Sequence, residues 1–171
     1  VIVDLDDWPV RDSQRTNATW VAVGEYLADR QAEMDAVLEA LRSDHFSANI
    51  DYRVGFSGIP MTQLARIKSV ASVLSAAVLH DLHQGQLDSA FQKLPGLLAL
   101  PNVQKEEPII ISQLVRIAIT HIAFVVTWQS LQRTGWSDDQ LSRVQQYWSH
   151  YDFIGAMEKA FAMERAMAAA Q

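Results

Sequence analysis

The run His80-Asp81-Leu82-His83 is the sharpest local arrangement in the sequence that could do chemistry. Two histidines at i and i+3 on a helix are surface neighbours and can share a metal ion, with Asp81 or His121 as a further ligand. A zinc site ordinarily takes three protein ligands in a fixed relation, and only a pair is visible. The structural reading is therefore preferred: a polar helix end whose imidazoles suit the last turn before Gly85. No metal and no other cofactor is expected, and His80, His83 and His121 stand as the alternative metal site.

Arg116 and His121 come next, because both fall in the most apolar stretch of the chain, Pro108 to Arg133. An enclosed guanidinium must be paired and hydrogen-bonded. The expected partner is Glu164 in the last helix, with Glu158 second, forming a structural ion pair that fixes how that helix docks. His121 reads as a satisfied core histidine, since no nucleophile and acid mark a triad around it.

Trp128, Trp136, Tyr147, Trp148, Tyr151 and Phe153 crowd the C-terminal half. Aromatics at this density are mostly core, and their functional reading is a groove for a partner helix or an apolar ligand. Phosphate-binding glycine loops, a G-x-S-x-G elbow, an H-E-x-x-H zinc motif and an EF-hand loop are absent from the sequence. The acidic pairs Asp6-Asp7, Glu106-Glu107 and Asp138-Asp139 fit an exposed arm or helix N-termini, where negative charge is favoured.

These residues must be positioned by a chain of 171 residues that is 49% hydrophobic, long enough for one domain with a proper core. A net charge of -6 and dispersed basic residues argue against a nucleic-acid partner. There are no cysteines, which excludes disulfides and zinc-thiolate sites.

Residues 1–16 show no sustained period and read as an N-terminal arm in which Trp8 docks. From Asn17 to Ser43 the apolar residues recur at helical spacing, with a break at Asp29-Arg30-Gln31. A long loop of about residues 45–60 holds Gly55, Gly58 and Pro60. Thr62 to His83 is an amphipathic helix stopped by Gly85, and Leu87 to Leu100 is a second, kinked by Pro95. Pro108 is expected in the first turn of the central helix, which Gly135 ends. Ser137 and Gln140 form a capping box, and Asp152 caps the last helix.

The class is all-α: a single-domain helical bundle or short α-α superhelix of six to eight helices around a buried central helix at about 108–133. Apolar residues lie on nearly every side of that helix, so it is expected to be enclosed by its neighbours. A membrane span is disfavoured, because an arginine at bilayer depth costs about 2.5–3.5 kcal/mol.

The helix pair turning at Gly85, with Ala90 on its inner face, resembles one tetratricopeptide unit, though no period of about 34 residues supports an array. A fuller resemblance rests on Leu27-Ala28-Asp29, Tyr52-Arg53-Val54-Gly55, Gly85 with Asp88 and Ala90, Glu107-Pro108, Leu114-Val115-Arg116-Ile117-Ala118-Ile119 and Glu164-Arg165-Ala166. From about Trp20 onward the chain resembles an uncharacterised family of bacterial all-helical proteins whose members commonly carry an N-terminal hydrophobic anchor. The resemblance implies a fold and a location at the bacterial envelope, with an anchor upstream of Val1, and supplies no catalytic residue.

The favoured function is a non-enzymatic helical domain that binds another protein or serves as a scaffold. The alternative is a small-molecule or metal-binding helical protein, acting as a hydrolase, with its site near His80, His83 and His121. The binding reading requires an exposed apolar or aromatic patch of more than a few hundred Å².

Overall fold

Helical periodicity and its stop signals become seven α-helices in a computed structural model that describes residues 17–43, 46, 50–52 and 62–169. The expected arm with Trp8, and the glycines and proline of the expected long loop, lie outside the described residues. The helices are α1 (Asn17–Ala28), α2 (Gln31–Ala40), α3 (Thr62–His83), α4 (Leu87–Ala99), α5 (Ile110–Leu131), α6 (Asp138–Ser149) and α7 (Ile154–Ala169). A 3-10 turn, Leu100–Gln104, links α4 towards α5, and no strand occurs among the described residues. The all-α bundle expected from the sequence is what the chain forms.

The boundaries follow local chemistry. Gly85 takes φ +73 and ends α3 in a left-handed cap, its amide donating to the Leu82 carbonyl at 3.2 Å and the Gln86 amide to the Asp81 carbonyl at 2.8 Å. Pro95 sits inside α4, whose last turn passes into the 3-10 segment. Ser137 and Gln140 close the capping box at 3.2 and 2.9 Å, satisfying two orphan amides at the start of α6. The Asp152 carboxylate accepts the Gly155 amide at 2.9 Å and so starts α7.

The core lies between α3, α4 and α5, with α1 packed on α3. Ala71, Ala76, Ala77, Ala90 and Ala123 let these helices approach closely, while Leu74, Val78, Leu94, Leu97, Ile119 and Val126 fill the space between them. Burying each such leucine fully contributes about 1.5–3 kcal/mol, so α3 and α4 hold the frame on which α5 is mounted.

Two expectations about α5 change. It begins at Ile110 behind an extended Ile109, which leaves Pro108 outside the helix instead of in its first turn. Nor is it enclosed: one face packs on α3, α4, α7 and the 3-10 turn, and the large apolar side chains of the opposite face are exposed. Among the described residues it is the one helix long and apolar enough to cross a membrane, and half of that span is buried inside the bundle.

Candidate functional site

α5 departs from an ordinary amphipathic helix: its buried face mixes polar side chains with Ile119, Ile122, Ala123 and Val126, and its exposed face is largely apolar. Its buried face carries Ser112, Gln113, Arg116, Thr120, Thr127 and Ser130, whereas Leu114, Ile117, Phe124, Trp128 and Leu131 face outward. Hydroxyls can face inward at little cost because they return to the helix's own carbonyls. Thr120 donates to the Arg116 carbonyl at 2.9 Å, Thr127 to Ala123 at 2.8 Å and Ser130 to Val126 at 2.8 Å.

The larger polar groups tie neighbouring elements to the start of α5. The Gln113 amide nitrogen donates to the carbonyls of Gln104 at 3.0 Å and Glu107 at 2.7 Å, clamping the 3-10 turn. Arg116, 2% exposed, donates to the Gln113 side-chain oxygen at 3.2 Å and to the Asp152 carbonyl at 3.0 Å, and its guanidinium lies 4.8 Å from the Phe153 ring centre. Burial holds its pKa below the ordinary arginine value, opposed by Tyr151, Asp152 and Glu106.

Glu164 and Arg116, expected to pair, take different partners. The Glu164 carboxylate accepts the Ile110 amide at 3.1 Å, capping α5 from α7, and no ion pair joins it to Arg116 among the described residues. The reason is reach along the helix: the α6–α7 corner presents a carbonyl beside Arg116, and Glu164 arrives more than a turn earlier, at the exposed amides of the helix start.

Glu107, expected at an exposed helix start, is 7% exposed. Burial raises its pKa, and the nearby Ser112 hydroxyl opposes the shift without making a well-aligned hydrogen bond. Both side-chain polar atoms of the fully buried Gln104 also lack a partner, as does Arg116 Nε. Each unmade bond of this kind costs about 1–3 kcal/mol.

The histidines divide. His83 stacks on Trp20 with ring centres 4.6 Å apart, and His80 lies tilted at 6.3 Å from the same ring. Burial lowers the His80 pKa, Asp81 opposes, and His83 and Lys93 add to the lowering. His121 is exposed on the outward face of α5. Among the described residues no group of three or more His, Cys, Asp or Glu side chains could hold a metal ion.

Asp81 points instead into the α3–α4 seam, where it pairs with Lys93 and accepts the Ser89 hydroxyl at 2.7 Å; Lys93 also donates to Ser89 at 3.0 Å. The spacing of Asp81, Ser89 and Lys93 does not by itself reveal this partly buried triad. Its signal was Lys93, the one basic residue in a helix with a deeply buried face, which must find an acid.

The aromatic residues do not form one groove. Trp136 donates its indole N–H to the Ser130 carbonyl at 2.8 Å and meets Phe91 edge-on, and Tyr147 lies half-open near Asn102 and Arg143. Trp148 joins an edge-to-face chain from Phe124 at 6.0 Å to Tyr151 at 5.3 Å, and Tyr151 stacks on Phe153 at 5.5 Å. The Tyr151 hydroxyl donates to the Leu98 carbonyl, and burial raises its pKa. Trp128 stands apart from that chain, 61% exposed and beside Trp20 and His83.

What remains is a stripe. Leu114, His121 and Trp128 are spaced by seven residues, as are Ile117, Phe124 and Leu131, and all six are exposed. That is the a/d pattern of a helix-pairing seam, turned outward. It can bury apolar surface against another helix; it offers no paired acid, base or nucleophile for catalysis. Compared with protein-family models, curated proteins and solved structures, the chain matches none of them.

Proposed function

We propose that the chain is a non-enzymatic helical domain that binds protein, and that the outward face of α5 is its docking surface. The observation that carries this reading is the outward face of α5: large apolar side chains at seven-residue intervals face water, Phe124 at 55% and Trp128 at 61% exposure. A contiguous apolar stripe of several hundred Å² is uncommon on a monomeric soluble protein and marks an interaction site. A partner helix laid along it is the recognition mode that the spacing suits.

Two features support the non-enzymatic side of the reading. The buried Arg116 and Gln113 and the partly buried Lys93 are occupied in holding elements together. The resemblance to bacterial all-helical proteins, with one tetratricopeptide-like helix pair turning at Gly85, belongs to the same reading and brings with it a location at the envelope.

The test replaces Leu114 and Trp128 by aspartate together. Both side chains are exposed, so unfolding free energy should stay within about 1 kcal/mol of the parent. Protein association through the face should be lost. Association that survives in a folded double variant removes the docking role of α5.

A further inference from the structure

We infer that the partner on this face is a second copy of the chain, with two α5 helices pairing antiparallel about a two-fold axis that passes between positions 122 and 123. The inference rests on the protein-binding reading and names its partner.

In an antiparallel pair each a residue meets a d residue of the other helix. Here Leu114 would face Leu131, Ile117 would face Trp128, and His121 would face Phe124 of the other copy, and each pair recurs on the far side of the axis. The stripe is thus complementary to itself, which is what an isologous interface requires. Sliding the pair by one heptad would leave one end of each stripe unpaired, so full overlap of the two stripes favours one register.

Charge points the same way. Apart from the titratable His121, the outward positions Ile111, Leu114, Ile117, Ala118, Phe124, Trp128 and Leu131 carry no charge, on a chain whose net charge is -6. A partner selected by charge would find little to read on this face, and two copies of the face carry no carboxylate or amine to repel each other. Six half-exposed side chains on each copy bring on the order of 1,000 Å² in total out of water, the low end for a specific interface. The expected dimer is correspondingly weak, forming in the micromolar range.

Sedimentation equilibrium of the whole chain across micromolar concentrations should show a monomer passing to a dimer. Leu114→Lys and Leu131→Glu should each raise the dimer Kd at least about tenfold, and the two together should restore it to within a few-fold, because every lysine then faces a glutamate of the other copy. Within one copy the two positions are about 26 Å apart and cannot pair. The chain has no cysteine, so L114C/L131C reports geometry directly: oxidation should link the double variant into dimers and leave Leu114→Cys alone unlinked.

A monomer at every concentration overturns the inference, and so does rapid linking through Leu114→Cys alone, which would mean parallel pairing. In the monomer case, thiol labelling of Leu114→Cys separates the two readings. A labelled thiol leaves the face open to a different protein and keeps the docking role. A protected thiol means the chain covers its own face, and both readings fall.

Discussion

Arg116 on α5 donates to the backbone carbonyl of Asp152 at 3.0 Å, a residue whose own carboxylate starts α7 by accepting the Gly155 amide at 2.9 Å. The α6–α7 corner is therefore pinned to α5 through a carbonyl, and Glu164 closes the same junction independently at Ile110. These bonds hold α7 on the N-terminal half of α5 and leave the outward stripe exposed, with Phe124 meeting Trp148 of α6 at its edge.

Separate partners predict separate costs. Arg116→Ala should lose roughly 1.5–3 kcal/mol of unfolding free energy, the range for a hydrogen bond from a charged donor. Glu164→Gln keeps an acceptor for the Ile110 amide and should lose under about 1 kcal/mol. Urea unfolding of both variants checks this, and an equal, large loss in each would indicate a shared ion pair.

The Lys93–Asp81 pair sits at 16% and 8% side-chain exposure between α3 and α4. Removing one partner strands the other, so Lys93→Met should cost about 3–5 kcal/mol. Adding Asp81→Asn to it should cost less than the sum of the two singles, with an interaction energy of about 0.5–3 kcal/mol in a double-mutant cycle.

Glu107 predicts a pH dependence. Its folded pKa is raised above the ordinary 4.5 by burial, with the Ser112 hydroxyl opposing, and Tyr52 is in turn pushed up by burial and by Glu107. A raised carboxyl pKa means the folded chain holds its proton longer than the unfolded chain does. The Glu107 contribution is then present in full below the unfolded value and is lost as pH rises through the window above it. Glu107→Gln removes that loss. The variant should melt above the parent near neutral pH, and the gap should shrink by about pH 4.

Much of the frame was legible in the sequence, because it is written in local signals. Thr62–His83 has an apolar stripe and a glycine stop, and Ser137 with Gln140 is a complete cap. The orientation of α5 was not legible in the same way. Apolar residues surround the helix, so periodicity predicts enclosure and cannot say which face goes in. The bonds of Thr120, Thr127 and Ser130 to the helix's own carbonyls let the core accept them, whereas Ser112 is buried without a partner. The seven-residue spacing of Leu114, His121 and Trp128 was the signal that marked the open face. Partners distant in sequence, such as Asp152 for Arg116, depend on how the last two helices turn.

The most direct test of the docking role is photo-crosslinking of the intact chain in its native cell, with a photoreactive side chain placed at Leu114, at Trp128 and, as a control, at Arg143 on the exposed side of α6. The account predicts protein adducts of defined mass from Leu114 and Trp128 and none from Arg143. Adducts that form equally from all three positions, or no intermolecular adduct from either stripe position, would contradict it.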